Sequence, residues 1–195
     1  LIDVGANVKP KAEHLFQYGM MGHIFARHIL NQPKPKIGLM NVGSEEQKGT
    51  DLVRETHALF NQSHHKDDFI GNVEGRDINS GETDVIICDG FVGNIVLKTC
   101  EGVFEFALQT VYKELLGALD VERDKAEVAL KSLVARYNYS AIGGAPLLGI
   151  DGICLICHGS SGDIAIKNAL VSAANYVRTG INDLIVQELE ANPTE

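Results

Sequence analysis

The chain alternates between short apolar runs and longer stretches in which apolar residues recur every three or four positions. The apolar runs predict strands covered on both faces, at residues 1–4, 37–42, 69–73, 85–88 and 153–157. The periodic stretches predict helices at residues 11–30, 50–62, 94–117, 121–137 and 163–190. This alternation predicts an α/β fold with a doubly wound, mostly parallel sheet and right-handed crossovers.

Residues 94–137 interrupt the alternation, because two helical patterns follow each other with a link near residues 117–121. A sheet does not readily cover the apolar faces of both helices, so we expect a protruding helical hairpin. Dimerisation through this hairpin is the preferred interpretation, and a layer within one domain is the alternative. The apolar positions are Val103, Phe104, Phe106, Ala107, Val111, Leu115 and Leu116 on the first helix, and Ala126, Ala129, Leu130, Leu133 and Val134 on the second.

Three polar loops containing glycine follow apolar runs, at residues 41–49, 89–94 and 158–162. Each precedes a helical pattern, and the first turn of a helix offers unpaired N–H groups and a favourable dipole to an anion. In an α/β sheet, ligands bind at the carboxyl ends of the strands. The three loops together therefore predict a phosphate or oxyanion site.

The first two loops supply the candidate charges and amides. Lys48, with Ser44 in the same loop, is suited to neutralise a phosphate or polarise an acyl carbonyl, although the order of a Walker loop is absent. Asp89 stands at a strand end and is a candidate active-site carboxylate. Gly93 allows close approach, and Asn94 is expected to cap its helix or to bind ligand.

The third loop combines an imidazole with hydroxyls. We expect His158 to act as a hydrogen-bond donor or general acid, with contacts from Gly159, Ser160 and Ser161. A Ser–His hydrolase is the alternative, but the G-x-S-x-G elbow is missing. The segment 71–77 contributes Asn72 and Glu74, although its mixed charges also fit a local ion-pair network. Three further histidines lack ligand spacing and are interpreted as surface residues: His57, His64 and His65.

Composition narrows the function classes. The chain has 195 residues, of which 45% are hydrophobic, so we expect one α/β domain over residues 1–195. The net charge of −9 disfavours binding to nucleic acid, and the sequence lacks an apolar run of about 18 residues that would predict a transmembrane helix. Because the chain opens at Leu1 inside a predicted strand, we expect it to be the C-terminal portion of a longer chain.

The four cysteines are expected to be free thiols in a reducing cytoplasm. Cys154 and Cys157, followed by His158, match the C-x-x-C-H pattern of haem attachment. On a strand, residues three apart face opposite sides, so the two sulfurs would not converge. We therefore favour buried structural thiols and expect no cofactor and no bound metal.

At these loops the chain resembles the PlsX-type phosphate acyltransferases. The similarity spans nearly the whole chain, in the segments LIDVGAN at 1–7, GLMNVG at 38–43, IGNVEGRD at 70–77, CDGFVGNIVLK at 88–98, YSAIGGAPLLG at 139–149 and HGSS at 158–161. The resemblance implies synthesis of acyl phosphate from acyl-acyl-carrier protein and inorganic phosphate, for phospholipid assembly. It also implies an isocitrate/isopropylmalate dehydrogenase-like fold, a homodimer, and members that are longer at the N-terminus.

In such a reaction, phosphate attacks the acyl thioester without a covalent enzyme intermediate, so positioning and charge stabilisation suffice. Lys48 would hold phosphate or the oxyanion, and Asp89 or Glu74 would position a proton. The amides of Asn7, Asn72 and Asn94 would orient the phosphate, and His158 and Ser160 would add donors.

Alternatives remain open. They are a phosphotransacetylase or phosphotransbutyrylase-like enzyme using acyl-coenzyme A, a nicotinamide-dependent dehydrogenase of the related fold, and a non-catalytic binding module. The dehydrogenase would need a metal-binding carboxylate cluster and an adenine loop, which the sequence lacks. Acidic residues near the link of the hairpin predict membrane contact that is at most weak and peripheral.

Overall fold

The computed structural model describes residues 1–119, 122–136 and 143–193. Its elements, in chain order, are α1 (Ala12–His28), β1 (Ile37–Met40), α2 (Asp51–Gln62), β2 (Phe69–Val73), a 3₁₀ turn (Gly75–Asp77), β3 (Val85–Ile87), α3 (Gly90–Ala118), α4 (Arg123–Arg136), β4 (Ala145–Pro146), β5 (Leu155–Ile156), α5 (Asp163–Thr179) and α6 (Ile181–Ala191). The contacts divide the chain into two compact units. One comprises residues 1–97, 148–152 and 176–195, and the other comprises residues 98–147 and 153–175.

The first unit contains a parallel sheet with the order β2-β1-β3. Because all three strands run in the same direction, their carboxyl ends meet at one edge. Strand β1 lies between β2 and β3, so successive strands are added on opposite sides of it, which makes this edge a favoured place for ligands. The α/β class with a parallel sheet is confirmed, and the topology is compatible with a doubly wound fold.

Close packing of α1 builds the core of this unit. A Cβ atom at Gly19 would lie 2.4 Å from Phe60 of α2 and 2.7 Å from Ile87 of β3, so only glycine lets the three elements approach this closely. The rings of Phe16 and Phe60 meet edge to face with centroids 4.8 Å apart. Burying such side chains removes apolar surface from water and stabilises the arrangement. The fully buried core residues include Leu15, Met20, Ile37 and Leu39.

The predicted strand at residues 1–4 is reduced to a single parallel bridge between Ile2 and Ile87. The parallel direction of this segment is therefore as predicted, but its predicted length as a strand is wrong. The reason lies in the following residue, Asp3, whose carboxylate accepts hydrogen bonds from the backbone of residues 5–7 and turns the chain away from the sheet.

The prediction that residues 153–157 form a strand of the parallel sheet is wrong. Only Leu155 and Ile156 are paired, and they lie antiparallel to Ala145 and Pro146 in the second unit. The connection includes Gly149 and Gly152, both with positive φ angles, so the chain folds back locally. An apolar run alone does not distinguish a parallel partner from an antiparallel one.

The single helix predicted at residues 163–190 is two helices, α5 and α6. Gly180 separates them with φ 66°, the left-handed conformation that commonly ends a helix. Its N–H donates to the carbonyl of Val177, and its own carbonyl accepts from Leu184, so one glycine closes α5 and opens α6. Apolar periodicity continues across the break, which explains why the pattern predicts a single helix.

Helices α3 and α4 carry many apolar side chains that remain exposed. Phe106 is 70% exposed and Val128 is 68% exposed. An apolar groove of about 440 Å³ lies between the helices, lined by Leu108, Gln109, Tyr112, Leu130, Lys131 and Val134. Residues 120 and 121 of the predicted link at 117–121 lie outside the described residues, and so do residues 139–142 of the segment 139–149. Within the described ranges, the structure contains no helix with both the length and the apolar character needed to cross a bilayer.

Candidate functional site

The loop at residues 41–49 joins the carboxyl end of β1 to α2 and is held in shape by Asn41. The Asn41 amide donates to the carbonyl of Lys48 at 3.1 Å, and its oxygen accepts from the N–H of Val42 at 2.8 Å. A Cβ atom at Gly49 would lie 2.3 Å from the Asn41 oxygen, so this position requires glycine for both space and its φ of 86°. Thr50 then caps α2 by accepting from the N–H of Val53.

This loop presents polar groups to solvent. Ser44 is exposed, and the Lys48 ammonium is half exposed, with Nζ 4.0 Å from a carboxylate oxygen of Glu45. Within the described part of the chain, the N–H groups of Ser44, Glu45 and Glu46 make no hydrogen bond to protein. The loop therefore combines a cation, a hydroxyl and backbone donors, which is the donor set that a phosphate oxygen accepts.

Asn72 connects the end of β2 to this loop. Its Nδ2 donates to the carbonyl of Glu45 at 2.9 Å, and only 8% of the residue is exposed. The Asn72 Oδ1 atom is buried, and no donor reaches it from the residues that the structure describes. A buried acceptor without a donor costs about 1–3 kcal/mol, so this oxygen is a candidate ligand contact.

Glu74, in contrast, is engaged locally. Its carboxylate accepts from Arg76 at 2.9 Å, and its N–H donates to Asp77 at 2.9 Å within the turn that follows β2. These contacts fit the ion-pair-network interpretation of segment 71–77. The contribution of Glu74 to catalysis stays a prediction.

The Asp3 carboxylate builds the loop that contains Asn7. Asp3 is buried and accepts from the N–H groups of Gly5, Ala6 and Asn7 at 2.6–2.8 Å. The Asn7 side chain donates to the Tyr18 hydroxyl at 3.1 Å and accepts from a backbone N–H at 3.2 Å. Asp3 was not among the predicted site residues. An aspartate two residues before a glycine, which favours a turn closed by the aspartate side chain, is the sequence signal that points to it.

Helix α3 begins against this loop, and its start differs from the sequence prediction. The helix begins at Gly90, so the prediction that Asn94 is an N-cap is wrong; Asn94 lies one turn inside the helix and is exposed. Asp89 is the capping residue instead, because its Oδ1 accepts from the N–H of Val92 at 2.9 Å. A Cβ atom at Gly93 would lie 1.8 Å from the carbonyl oxygen of Asp3, so glycine here allows close approach of the Asp3 backbone, and its contact with substrate stays a prediction.

The expectation of unpaired N–H groups at this helix start fails for three of the four residues in the first turn, and only the N–H of Phe91 makes no hydrogen bond among the described residues. The N–H of Gly90 donates to the carbonyl of Asn7 at 2.8 Å, and that of Gly93 donates to the carbonyl of Asp89 at 2.9 Å. Together with the capped N–H of Val92, three donors of the first turn are occupied. Side chains, rather than these backbone groups, are therefore the candidate ligands at this end of α3.

The loop at residues 158–162 belongs to the second unit and is organised by His158. Its Nδ1 accepts from the N–H of Ser160 at 3.2 Å and lies 2.6 Å from the Ser160 hydroxyl, while its carbonyl accepts from the N–H of Ser161. Because an N–H donates to Nδ1, the neutral ring carries its proton on Nε2. Gly159 is exposed, and the Ser161 hydroxyl is buried without a hydrogen-bond partner among the described residues.

Two of the three histidines interpreted as surface residues are buried. His65 is only 6% exposed, so its surface assignment is wrong. His57 is only 7% exposed and lies with Nδ1 3.5 Å from a carboxylate oxygen of Glu46, so its surface assignment is wrong. Cys88 is buried as expected, and burial together with the neighbouring Asp89 charge raises the pKa of its thiol to about 12. The Cys88 thiol donates a hydrogen bond to the carbonyl of Asp3, and the His57 ring packs against the ring of Phe69.

Comparison with known proteins identifies the family. Residues 1–184 match the family model described as "Fatty acid synthesis protein". The chain belongs to this fatty acid synthesis protein family. This match confirms the resemblance to the PlsX-type phosphate acyltransferases that the sequence motifs indicate.

The chain is also similar to curated proteins that carry the name "Phosphate acyltransferase". The chain is 44% identical to the protein of that name from Nitratidesulfovibrio vulgaris (strain DP4), over 98% of the chain and 56% of the relative. It is 42% identical to the one from Geobacter sulfurreducens, over 100% of the chain and 56% of the relative. It is 44% identical to the one from Campylobacter jejuni subsp. doylei, over 97% of the chain and 57% of the relative. The chain thus spans a little over half the length of these curated relatives.

Proposed function

We propose that the protein is a phosphate acyltransferase that moves an acyl group from acyl-acyl-carrier protein to inorganic phosphate, supplying acyl phosphate for phospholipid synthesis. A phosphate oxygen attacks the thioester carbonyl carbon, the carbon–sulfur bond breaks, and the carrier leaves as a thiolate that takes up a proton. The name and 42–44% identity of the curated relatives carry this proposal.

The sheet edge supports this chemistry. The 41–49 loop offers Lys48, the Ser44 hydroxyl and backbone N–H groups that make no bond to protein, all at the carboxyl end of β1. We propose that this loop holds phosphate and the developing oxyanion, because charge stabilisation by preorganised donors is the main need of a reaction without a covalent intermediate. The unpaired Oδ1 of Asn72 would accept a hydrogen bond from a protonated phosphate oxygen.

The remaining predicted residues receive narrower roles. Asp89, which caps α3, would position a proton, and Asn94 would orient phosphate from the first turns of the same helix. Asn7 is held by Tyr18 and would act through the shape of its loop. For the second unit, we keep the sequence prediction that His158 acts as a hydrogen-bond donor or general acid, with Gly159, Ser160 and Ser161 as contacts.

We also propose that residues 1–195 act as one α/β domain of the isocitrate/isopropylmalate dehydrogenase type. The protein would be cytoplasmic, and the hairpin at residues 94–137 would mediate its homodimerisation. The exposed apolar side chains of α3 and α4 support the dimer, because an apolar surface of this kind commonly marks an interface.

The choice of thioester separates this function from its closest alternative. Purified protein is supplied with phosphate and either acyl-acyl-carrier protein or acyl-coenzyme A of the same chain length, and the acyl phosphate is trapped with hydroxylamine. We expect kcat/KM to be higher for the acyl-carrier thioester. Exclusive use of acyl-coenzyme A would indicate a phosphotransacetylase-like enzyme instead.

A further inference from the structure

A group of titratable side chains lies at the edge of the sheet opposite the proposed phosphate site. Asp68 directly precedes β2, and its backbone carbonyl accepts from the N–H of Ile37 at the start of β1. The Asp68 carboxylate faces two imidazoles, those of His23 on α1 and His65 in the turn after α2. All of these residues belong to the first unit, and none is used by the acyl-transfer chemistry.

The distances among the three side chains suit a metal ion. Asp68 Oδ2 lies 3.3 Å from Nε2 of His23 and 3.6 Å from Nδ1 of His65, and the three ligand atoms lie within 4.8 Å of one another. A tetrahedral zinc ion with bonds of about 2.0–2.1 Å separates neighbouring ligand atoms by about 3.3–3.4 Å. The two distances to Asp68 already match this spacing, and the two imidazole nitrogens, which lie within 4.8 Å of each other, would close the group around an ion by side-chain rotation.

The hydrogen bonding of His65 points to a cation between these groups. Its Nε2 lies 2.7 Å from Oε1 of Glu188, so that nitrogen donates its proton to the carboxylate. The opposite nitrogen of the neutral ring, Nδ1, then carries a lone pair. This Nδ1 atom is buried, has no hydrogen-bond partner among the described residues, and faces the Asp68 carboxylate at 3.6 Å. Two acceptors that face each other repel unless a positive charge lies between them.

The Glu188 carboxylate resembles the outer partner of a metal-bound histidine. Glu188 is on α6, and its Oε1 also accepts from Asn192 at 3.0 Å, so its position is fixed. A metal-ligating imidazole usually donates its second N–H to such a carboxylate, which fixes the ring orientation and raises its basicity. His65 therefore has a ligand nitrogen on one side and an orienting partner on the other.

We infer that His23, His65 and Asp68 form a binding site for a divalent transition metal, with zinc as its first candidate. Two imidazoles and one carboxylate favour zinc and its neighbours over magnesium or calcium, which prefer oxygen ligands. The side chains of His23 and His65 are only 6% and 8% exposed, whereas 37% of the Asp68 side chain is exposed, so solvent provides the fourth ligand and the entry path. The ion would tie α1 to the start of β2 and, through Glu188, to α6.

Zinc titration of untagged, EDTA-treated protein tests this inference independently of acyl transfer. Calorimetry and metal analysis are expected to give one zinc per chain, with a zinc-dependent rise in Tm. Asp68→Asn should remove the binding, and Glu188→Gln should weaken it about tenfold or more. Asp67→Asn and His64→Ala, exposed neighbours of the proposed ligands, should bind as the wild type does.

The outcomes that overturn the inference are equally definite. Wild-type protein that binds no zinc would overturn the inference. Binding that survives Asp68→Asn but is lost in a Cys154→Ser/Cys157→Ser variant would place the metal elsewhere. Should Asp68→Asn fail to fold, the anomalous signal of zinc-soaked wild-type crystals decides whether the ion lies between His23 and His65.

Discussion

At the scale of single residues, the proposed site is defined by which polar groups are already engaged. Asp89 caps α3, three of the four N–H groups in the first turn of that helix are hydrogen-bonded, and Glu74 is paired with Arg76. Lys48 is different, because its ammonium is half exposed and its nearest carboxylate, on Glu45, is 4.0 Å away. The sequence identifies the residue types, but only the geometry separates groups held by the fold from groups available to a ligand.

We predict that Lys48→Ala lowers phosphate-dependent turnover by about 10²-fold or more, the scale of losing one charge-stabilising donor. The Tm should change little, since a half-exposed lysine beside one exposed carboxylate contributes at most about 1 kcal/mol to stability. Steady-state kinetics and thermal denaturation measure both quantities. The matched control is Lys34→Ala, which removes an exposed lysine outside the loop. An unchanged rate in the Lys48 variant would exclude this residue from the site.

Cys88 should resist thiol reagents. Burial and the nearby Asp89 charge raise the pKa of the thiol to about 12, so at pH 8 only about one molecule in 10⁴ carries the reactive thiolate. The thiolate fraction rises tenfold per pH unit but stays small up to pH 10. Peptide mass spectrometry after iodoacetamide treatment is expected to find label on exposed Cys100 long before Cys88. Equal labelling rates in folded protein would contradict the burial of Cys88.

At the scale of elements, helices were predicted better than strands. The bounds of α2 differ from the predicted range by one residue, because Thr50 caps its start and apolar periodicity marks its length. The antiparallel pairing of β5 was not predictable, since strand partners are chosen by the surrounding chain. The break at Gly180 was in principle visible as a glycine, but glycine also occurs inside helices, as Gly19 and Gly22 do in α1.

The hairpin is predicted to hold the dimer. Replacing Phe106 and Leu133 with aspartate places charges on side chains that are 70% and 40% exposed and apolar. Because desolvating these charges opposes association, light scattering should detect monomer or aggregate. The control Leu30→Asp/Val186→Asp alters two equally exposed apolar residues of the first unit and should leave the dimer intact. A dimer that persists in the hairpin variant would place the interface elsewhere.

Docking of an acidic carrier protein needs a local basic surface, because the net charge of −9 opposes association. The sequence candidates are Lys113, Arg123, Lys125, Lys131 and Arg136. Two of them are already paired: Lys125 lies 2.9 Å from Glu122, and Lys131 lies 2.7 Å from Glu127. The pairing with Glu127 also raises the pKa of Lys131, so this lysine stays charged. Arg136 has no described side chain.

Reversing Arg123 and Lys131 to glutamate is expected to raise the KM for the acyl-carrier substrate several-fold while the KM for phosphate barely moves. Salt should reduce the difference, since the Debye length is about 8 Å at physiological ionic strength. Lys34→Glu/Lys66→Glu makes the same change in net charge away from the hairpin and serves as the control. Equal changes in the KM for the acyl-carrier substrate and the KM for phosphate, or no change in either, would indicate that the carrier docks outside the hairpin.

At the scale of the whole molecule, we propose different ligands at the two edges of the parallel sheet. The carboxyl ends of the strands carry the loops proposed to bind phosphate, and the amino ends carry the His23, His65 and Asp68 group. The family could be predicted from sequence because its glycine-bearing motifs are continuous, and the same motifs indicate the candidate site at the carboxyl edge, which stays a prediction. The metal group could not, since its members lie on separate elements and its spacing appears only after folding.

The most direct test of the account is the conversion of phosphate itself. Purified protein is incubated with acyl-acyl-carrier protein and phosphate, and ³¹P NMR follows the phosphorus while a thiol assay follows the released carrier. We predict acyl phosphate and free carrier thiol in equal amounts, with both signals absent when phosphate is omitted and strongly reduced in Lys48→Ala. Release of carrier thiol without acyl phosphate, or at the same rate without phosphate, would contradict the proposed acyl transfer.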